Sequence, residues 1–428
     1  MNFPELKKAL FVIFSSAIIA LFFFTVPLEG QSDNSYETFQ SSLQSIKNAK
    51  WRLGPFKIFP SLQLNWQYDN NIYGASVERS PISDFVTTIS LPFTFYLPMG
   101  NWLIFYFTES PQYVYFRELK SERSLNNSYS PGLRLLLINR FVVSGSYQYS
   151  RVKDRTQGDI DARIMQETRG YRASIFYETS RGSSLGFAWS VSKQSYEDIT
   201  LPGADTSLSR TWDREWKTGA IQFNHDIFTN GNFFISLGRS DFKFTYAQGA
   251  FRDSYSYQLL SGIQFPIVGR ARGGLSLGYS RFIPKEEGRR GYSGLVANTN
   301  LSLRTGRFGF SFLFRRSTPF SYGESIFFVD NWYGAGISFY LTQIARLDYN
   351  FSYGGGTYPE PITVQAPDGS LQEITRKDKY RTHTAGIVFR IIGNTGLGLT
   401  ATYWERASNY YLYSTDRFAV GAAITFDF

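Results

Sequence analysis

From residue 51 onward the chain alternates apolar and polar side chains one for one, and the connections between its segments alternate as regularly between short and long. A period of two is the side-chain period of a β-strand, so each segment carries one apolar face and one polar or small face. Phe308, Phe310, Phe312 and Phe314 alternate with Arg307, Gly309, Ser311, Leu313 and Arg315. Leu347, Tyr349, Phe351 and Tyr353 alternate with Arg346, Asp348, Asn350 and Ser352, and Leu185, Phe187, Trp189 and Val191 follow the same rule. The short connections, among them PMGN at 98–101, SRG at 180–182, RTGR at 304–307 and GNTG at 393–396, carry hairpin-turn chemistry. The long ones, such as 69–83, 197–211, 317–325 and 356–379, are more polar.

Eighteen segments fit this rhythm, the first at about 55–68 and the last at 415–428, joined by nine long loops and eight short turns. Merging one weak pair gives sixteen. A soluble sandwich alternates too, but its apolar faces fill a shared core and nothing sorts its loops by length. Sorting by length is the layout of a barrel with tight turns at one end and long loops at the other. The expected fold is therefore all-β, a transmembrane antiparallel β-barrel of the outer membrane with about eighteen strands and both termini periplasmic. TESPQ at 108–112 and GRSD at 238–241 interrupt the alternation and are expected as bulges.

Composition agrees with that reading. Aromatics make up 18% of the chain, with 40 Phe and 29 Tyr, yet mean hydropathy is −0.24. High aromatic content without overall hydrophobicity follows when lipid-facing residues alternate with lumen-facing ones. The absence of cysteine removes disulfides, thiol catalysis, thiolate metal sites and a lipid-modified Cys. The formal net charge is +9, but Lys and Arg are scattered rather than run together, which argues against nucleic-acid binding.

Residues 1–30 place Lys7 and Lys8 before an apolar run from Ala9 to Val26, the pattern of a secretory signal peptide, with an uncleaved inner-membrane anchor as the rival. Residues 31–52 form a short polar periplasmic segment, able to form a helix but too small for a plug domain, and 53–428 form the barrel. The final strand, FAVGAAITFDF, puts Phe418, Val420, Ala422, Ile424, Phe426 and Phe428 on one face. Gly421, Ile424, Phe426 and Phe428 resemble the signal read by the barrel-assembly machinery, although Ala419 stands where a polar residue is usual.

Opposite parity defines the lumen. The candidate pore-lining residues are Lys57, Arg134, Arg172, Arg272, Arg307, Arg315, Asp330, Arg346, Asp348, Arg390, Arg406 and Arg417, with Asp69, Glu178, Asp226 and Asp427 as further inward acids. Rings of Arg and Lys favour anions; the plainer reading is that they pair with the acids and wall hydroxyls. Small inward residues such as Gly274, Ser276, Gly278, Gly334, Gly336 and Ser338 leave room for water. Inward Trp332 and Trp404 are candidate sugar-stacking rings, and the 356–379 loop, the longest, is the candidate constriction.

No catalytic, metal or cofactor site emerges. The two histidines, His225 and His383, fall on the lipid face, and no Ser is obviously placed beside His225. An outer-membrane phospholipase carries a Ser–His site on its outer wall, so position alone does not exclude one. YDNN at 68–71 and APDGS at 366–370 lack a calcium-ligand series and read as turns.

The stretch LGPFKIFPSLQLNWQYDNNIYGA at 53–75 resembles the start of a β-barrel porin family found near exopolysaccharide export and exosortase-type systems. There a Pro-interrupted first strand runs into a Tyr-Asp-x-Asn turn, matched by Gly54, Pro60, Tyr68, Asp69 and Asn71. SDFVTTISLPFTFYLPMGNWLIFYF at 83–107 looks like that family's second and third strands. The resemblance covers about the first quarter of the chain and is architectural beyond it. It implies an outer-membrane channel tied to polysaccharide export. The expected function is passive passage of small anionic or saccharide solutes. The rivals are a partner-gated export pore contacting periplasmic components through residues 31–50, and a closed structural barrel. An enzyme comes last.

Overall fold

The computed structural model describes residues 36–76, 80–155, 160, 162–200, 206–228, 231–268, 271–321, 325–365, 370–391 and 394–428. The expected signal peptide and most of the APDGS turn lie outside them.

The wall is a closed antiparallel barrel of eighteen strands. Its first four are β1 (Phe56–Asp69), β2 (Asp84–Ser90 and Phe93–Met99), β3 (Leu103–Glu109 and Gln112–Phe116) and β4 (Ser124–Leu136). Then come β5 (Phe141–Arg155), β6 (Arg163–Glu178), β7 (Ser183–Tyr196), β8 (Arg214–Phe228) and β9 (Gly231–Phe244). They are followed by β10 (Ser254–Val268), β11 (Ala271–Pro284), β12 (Tyr292–Thr305), β13 (Phe308–Ser317) and β14 (Val329–Tyr340). The ring ends with β15 (Ala345–Thr357), β16 (Lys377–Arg390), β17 (Thr395–Ser408) and β18 (Thr415–Asp427). Each strand pairs with its sequence neighbours, and β18 pairs back onto β1 from Ser61↔Asp427 to Asp69↔Ala419. No strand edge is left open, which is the condition for crossing a bilayer with β-structure.

Local chemistry accounts for the breaks. β2 and β3 are interrupted at Pro92 and Pro111, which cannot donate to the ladder. Their carbonyls remain in use, accepting from Ser61 N at 2.8 Å and Leu91 N at 3.0 Å. GRSD, expected to bulge, does not: Gly238 through Asp241 pair without a shift to β8 and β10, because a Gly and small polar residues fit the inward positions. The register shifts that do occur sit beside short turns, between Asp226 and Phe228 and between Phe265 and Val268. Gly182 and Gly306 take φ of +73° and +55° at the tips of two short turns, a region that costs a side chain about 1–2 kcal/mol.

The outward face is apolar in the way lipid requires. Tyr171, Ile221 and Leu277 are 62%, 54% and 58% exposed, and their sequence neighbours turn inward. Buried apolar clusters lie instead inside the two mouths. At the short-turn end, helix α1 (Tyr36–Lys47) puts Phe39, Leu43 and Ile46 on Ile104 of β3 and Val142 of β5, with Tyr96 of β2 and Leu136 of β4 alongside. The spacing of four and three residues is one helical face. All four wall residues have inward parity, opposite to the exposed Phe105 and Phe141. The helix therefore sits in the lumen. Lys47 Nζ donates to Asn101 Oδ1 at 2.6 Å, fastening its last turn to the rim.

At the long-loop end, segments fold inward onto β6 through β14. Helix α2 (Leu208–Trp212) buries Leu208 and Trp212 against Ile164, Tyr196 and Phe244. From the 318–328 loop, Phe320 sits among Phe242, Phe244 and Phe282 with ring centroids 4.8, 6.1 and 5.6 Å away, while Ile326 and Phe327 are fully buried. Arg252 ties the two together, lying 4.0 Å over the Trp212 ring and donating to Ser321 O at 3.2 Å.

Candidate functional site: the barrel lumen

The inward basic residues divide by what they touch. Four are held by the wall. Arg315 Nη2 reaches Asp330 Oδ2 at 3.0 Å, and Arg346 reaches Asp348 Oδ2 at 2.8 Å while Ser338 Oγ donates to the other carboxylate oxygen at 2.6 Å. Arg406 is buried, donates to the Tyr413 carbonyl and lies over the Tyr413 ring. Arg417 donates Nε to Asp69 Oδ2 at 2.8 Å.

The Arg417–Asp69 pair belongs to a seam clasp. Asp69 also accepts from Asn71 N at 3.0 Å, and Asn71 Nδ2 donates to the carbonyls of Ala75 and Asp416 and to Thr415 Oγ1 within 3.1 Å. Asn71 is wholly buried, so these bonds are made in a poorly screened setting where each is costly to lose. The YDNN turn thus spends its polar atoms on joining β1 to β18. Gly421 lies on the same seam, where a Cβ would come within 2.7 Å of the Trp66 carbonyl oxygen. Ile424, Phe426 and Phe428 continue down that strand, with Ile424 opposite Leu64 and Phe426 opposite Leu62.

The remaining basic residues other than Arg172 lie toward the short-turn mouth. Arg134 lies 5.8 Å over the inward Tyr106 ring, beside the α1 contact. Lys57 pairs across the sheet with inward Tyr96, and exposed Arg172 sits at mid-height between Ser146 and Ser190. Arg272 and Arg390 occupy the turn ends of β11 and β16, and Arg307 lies in the turn just before β13. The sequence reading missed Arg304, the inward residue near the end of β12, which lies 4.2 Å over Tyr340. The parity rule that found Arg307 also reaches Arg304. With Arg346 these form an arc of five guanidiniums, on β11, β12, β15 and β16 and in the turn before β13. In an eighteen-membered ring that arc stands about half a turn from β2–β5, where α1 docks.

Both mouths are narrowed from within. Tyr36–Lys47 contribute a lumenal helix at the short-turn mouth. Phe320, Ile326 and Phe327 turn into the long-loop mouth; within 356–379, Ile362–Gln365 and Leu371–Ile374 form a hairpin, with Tyr358, Glu360 and Arg376 buried beside it. Apolar residues inside a long loop, Phe320, Ile326 and Phe327, were the available signal, because such side chains are buried only by folding inward.

On the outer wall, Ser183 Oγ and His225 Nδ1 are 2.8 Å apart, a pair that sequence reading did not find because it lies across the β7–β8 register. Among the described residues no carboxylate or amide is hydrogen-bonded to the ring's other nitrogen, and His383 Nδ1 meets Tyr349 Oη at 2.9 Å. A base with no orienting third group is a poor activator of a hydroxyl. No cluster of three or more His, Asp or Glu fit to hold a metal occurs among the described residues.

An eighteen-stranded closed wall, a polar inward face and mouths narrowed from within define an outer-membrane channel of the porin class. The chain belongs to the family described as Putative beta-barrel porin 2, whose model matches residues 48–308. Two crystal structures of the outer membrane protein OpdK (OccK1) from Pseudomonas aeruginosa share its fold, each with a TM-score of 0.51. Identity is 12% for one and 10% for the other, and both alignments cover 87% of this chain and 99% of that one. No curated protein matches the chain. The family match and the shared fold give no support to a link with polysaccharide export.

Proposed function

We propose that this barrel passes small anionic solutes by diffusion, oriented with its short turns and both chain ends toward the periplasm. The observation that carries the reading is the arc of Arg272, Arg304, Arg307, Arg346 and Arg390 on the side of the short-turn mouth that α1 leaves uncovered. A solute leaving or entering there must pass between the helix and the arc. Arg346 is balanced by Asp348, while Arg304 and Arg307, both exposed, add positive charge inside the confined opening, where fields act more strongly than in bulk water. The helix presents exposed Gln44, Lys47 and Asn48 on its far side, a polar surface compatible with a hydrated path.

A saccharide is the second reading, favoured by the inward rings of Trp332 and Tyr380, whose centroids are 6.0 Å apart. The barrel-assembly machinery, as reader of Gly421, Ile424, Phe426 and Phe428, is proposed as the partner during insertion. The test is the reversal potential of the refolded protein in a planar bilayer under a salt gradient. Anion selectivity that falls sharply in the Arg304→Gln/Arg307→Gln variant supports the proposal. Cation selectivity in the unaltered protein refutes it, as does unchanged selectivity in the variant.

A further inference from the structure

The outward face carries a second ordered set of charges that the channel reading does not use. Toward the long-loop ends of the strands, strand after strand presents an outward base. These are Arg151 on β5, Arg169 on β6, Lys193 on β7, Lys217 on β8, Arg239 on β9 and Arg281 on β11, all exposed. Their parity is that of the lipid-facing set: Arg169 precedes Tyr171 by two residues, Arg239 follows Leu237 by two and Arg281 follows Tyr279 by two. Cross-strand register makes them neighbours. Arg169 stands opposite Lys193, and Tyr257 lies between Arg239 and Arg281. Adjacent strands are about 4.8 Å apart, so the six bases form a band one or two side chains high along seven strands.

Acids share the band but do not cancel it. Glu167 holds Arg169 at 2.5 Å, Glu215 holds Lys217 at 3.2 Å, and Asp241 lies 3.9 Å from Arg239. Arg151, Lys193 and Arg281 have no ion-pair partner among the described residues. At the β5–β6 end of the band lies an aromatic shelf on β4–β6, in which Tyr129, Tyr147, Tyr149 and Tyr171 form a connected series with centroids 4.8–6.1 Å apart. A basic rim directly above an apolar, aromatic wall matches a ligand with phosphates at the headgroup and several acyl chains below.

We propose that this face binds a phosphorylated glycolipid of the outer leaflet, its phosphates on the Arg151–Arg281 band and its acyl chains on the wall beneath. The proposal rests on the long loops facing outward but not on the channel conducting, so it stands or falls apart from the selectivity test.

The full chain, refolded in neutral detergent, is titrated with a bisphosphorylated acylated glucosamine disaccharide and read by native mass spectrometry. Its dephosphorylated form and phosphatidylglycerol serve as comparison ligands. The expected result is preferential retention of the bisphosphorylated glycolipid, weakened about a hundredfold in Arg151→Gln/Lys193→Gln/Arg281→Gln, since each base near a headgroup plane contributes most of a tenfold factor. Circular dichroism and heat-modifiable mobility establish folding, and the single Lys193→Gln variant, expected to lose about fivefold, keeps the test informative if the triple variant does not refold. Equal retention by the triple variant overturns the proposal. So does equal retention of the dephosphorylated glycolipid, or of phosphatidylglycerol, which leaves only a generic charged rim.

Discussion

Removing the lumenal helix should widen the channel, and the size of the effect follows from geometry. Eighteen strands about 4.8 Å apart and tilted near 40° give a wall radius of about 18 Å, and inward side chains leave a free radius of roughly 12 Å. That is an opening of about 450 Å². Helix α1 has 12 residues, hence about 18 Å of length and about 10 Å of width. End-on it fills about a fifth of the opening, and lying across it about two-fifths. Deleting residues 36–47 should therefore raise single-channel conductance by about 25% if the helix stands end-on and by up to about 65% if it lies across, toward the lower figure because the narrowed long-loop mouth stands in series. A point variant reaches the same end. Leu43 is 3% exposed, and truncating a buried Leu costs about 2–5 kcal/mol, so Leu43→Glu should shift the docked-to-undocked ratio by two orders of magnitude or more. Because the chain lacks cysteine, a single Leu43→Cys thiol reports docking without background. It should react slowly with a water-soluble maleimide, and quickly when Phe39→Ala is added. Fast labelling of Leu43→Cys alone, together with unchanged conductance in the deletion, would refute a helix packed in the lumen.

At the other mouth, Phe320→Ala removes the ring that Phe242, Phe244 and Phe282 surround. It should cost about 3–5 kcal/mol of loop packing and increase current noise or conductance, with the heat-modified gel shift unchanged because the wall ladder is untouched. In the loops beside the seam, burial first, and then the Glu122 carboxylate accepting from its hydroxyl at 3.2 Å, push Tyr73 up to about 12. A raised folded-state value favours the neutral phenol. That contribution is complete below the ordinary value near 10 and is lost as pH climbs through about 12. Proteolysis in the 118–123 region should thus rise between those two pH values in the unaltered protein and less so in Tyr73→Phe.

Much of this architecture was legible in the chain because a barrel wall is built from short-range rules. The alternation that sets Phe308, Phe310, Phe312 and Phe314 against Arg307, Gly309 and Ser311 fixes which face meets lipid, since a one-residue slip would invert every side chain. Gly and Asn in short connections mark the hairpins, and counting them gives the strand number. The same parity identifies which arginines point inward.

What each inward residue does was decided by tertiary structure, because it depends on partners distant in sequence. Asp69 and Arg417 are 348 positions apart and meet only when β18 closes on β1. That closure makes a candidate pore residue part of a seam clasp and gives the Tyr-Asp-x-Asn turn a structural use. Ser183 and His225 likewise meet through a register that no spacing rule reveals. The helix at 36–47 and the Phe320 loop fill the mouths because their apolar side chains have no core of their own and bury inside the ring. Sequence by itself determined the wall; only the closed ring decided what occupies its interior.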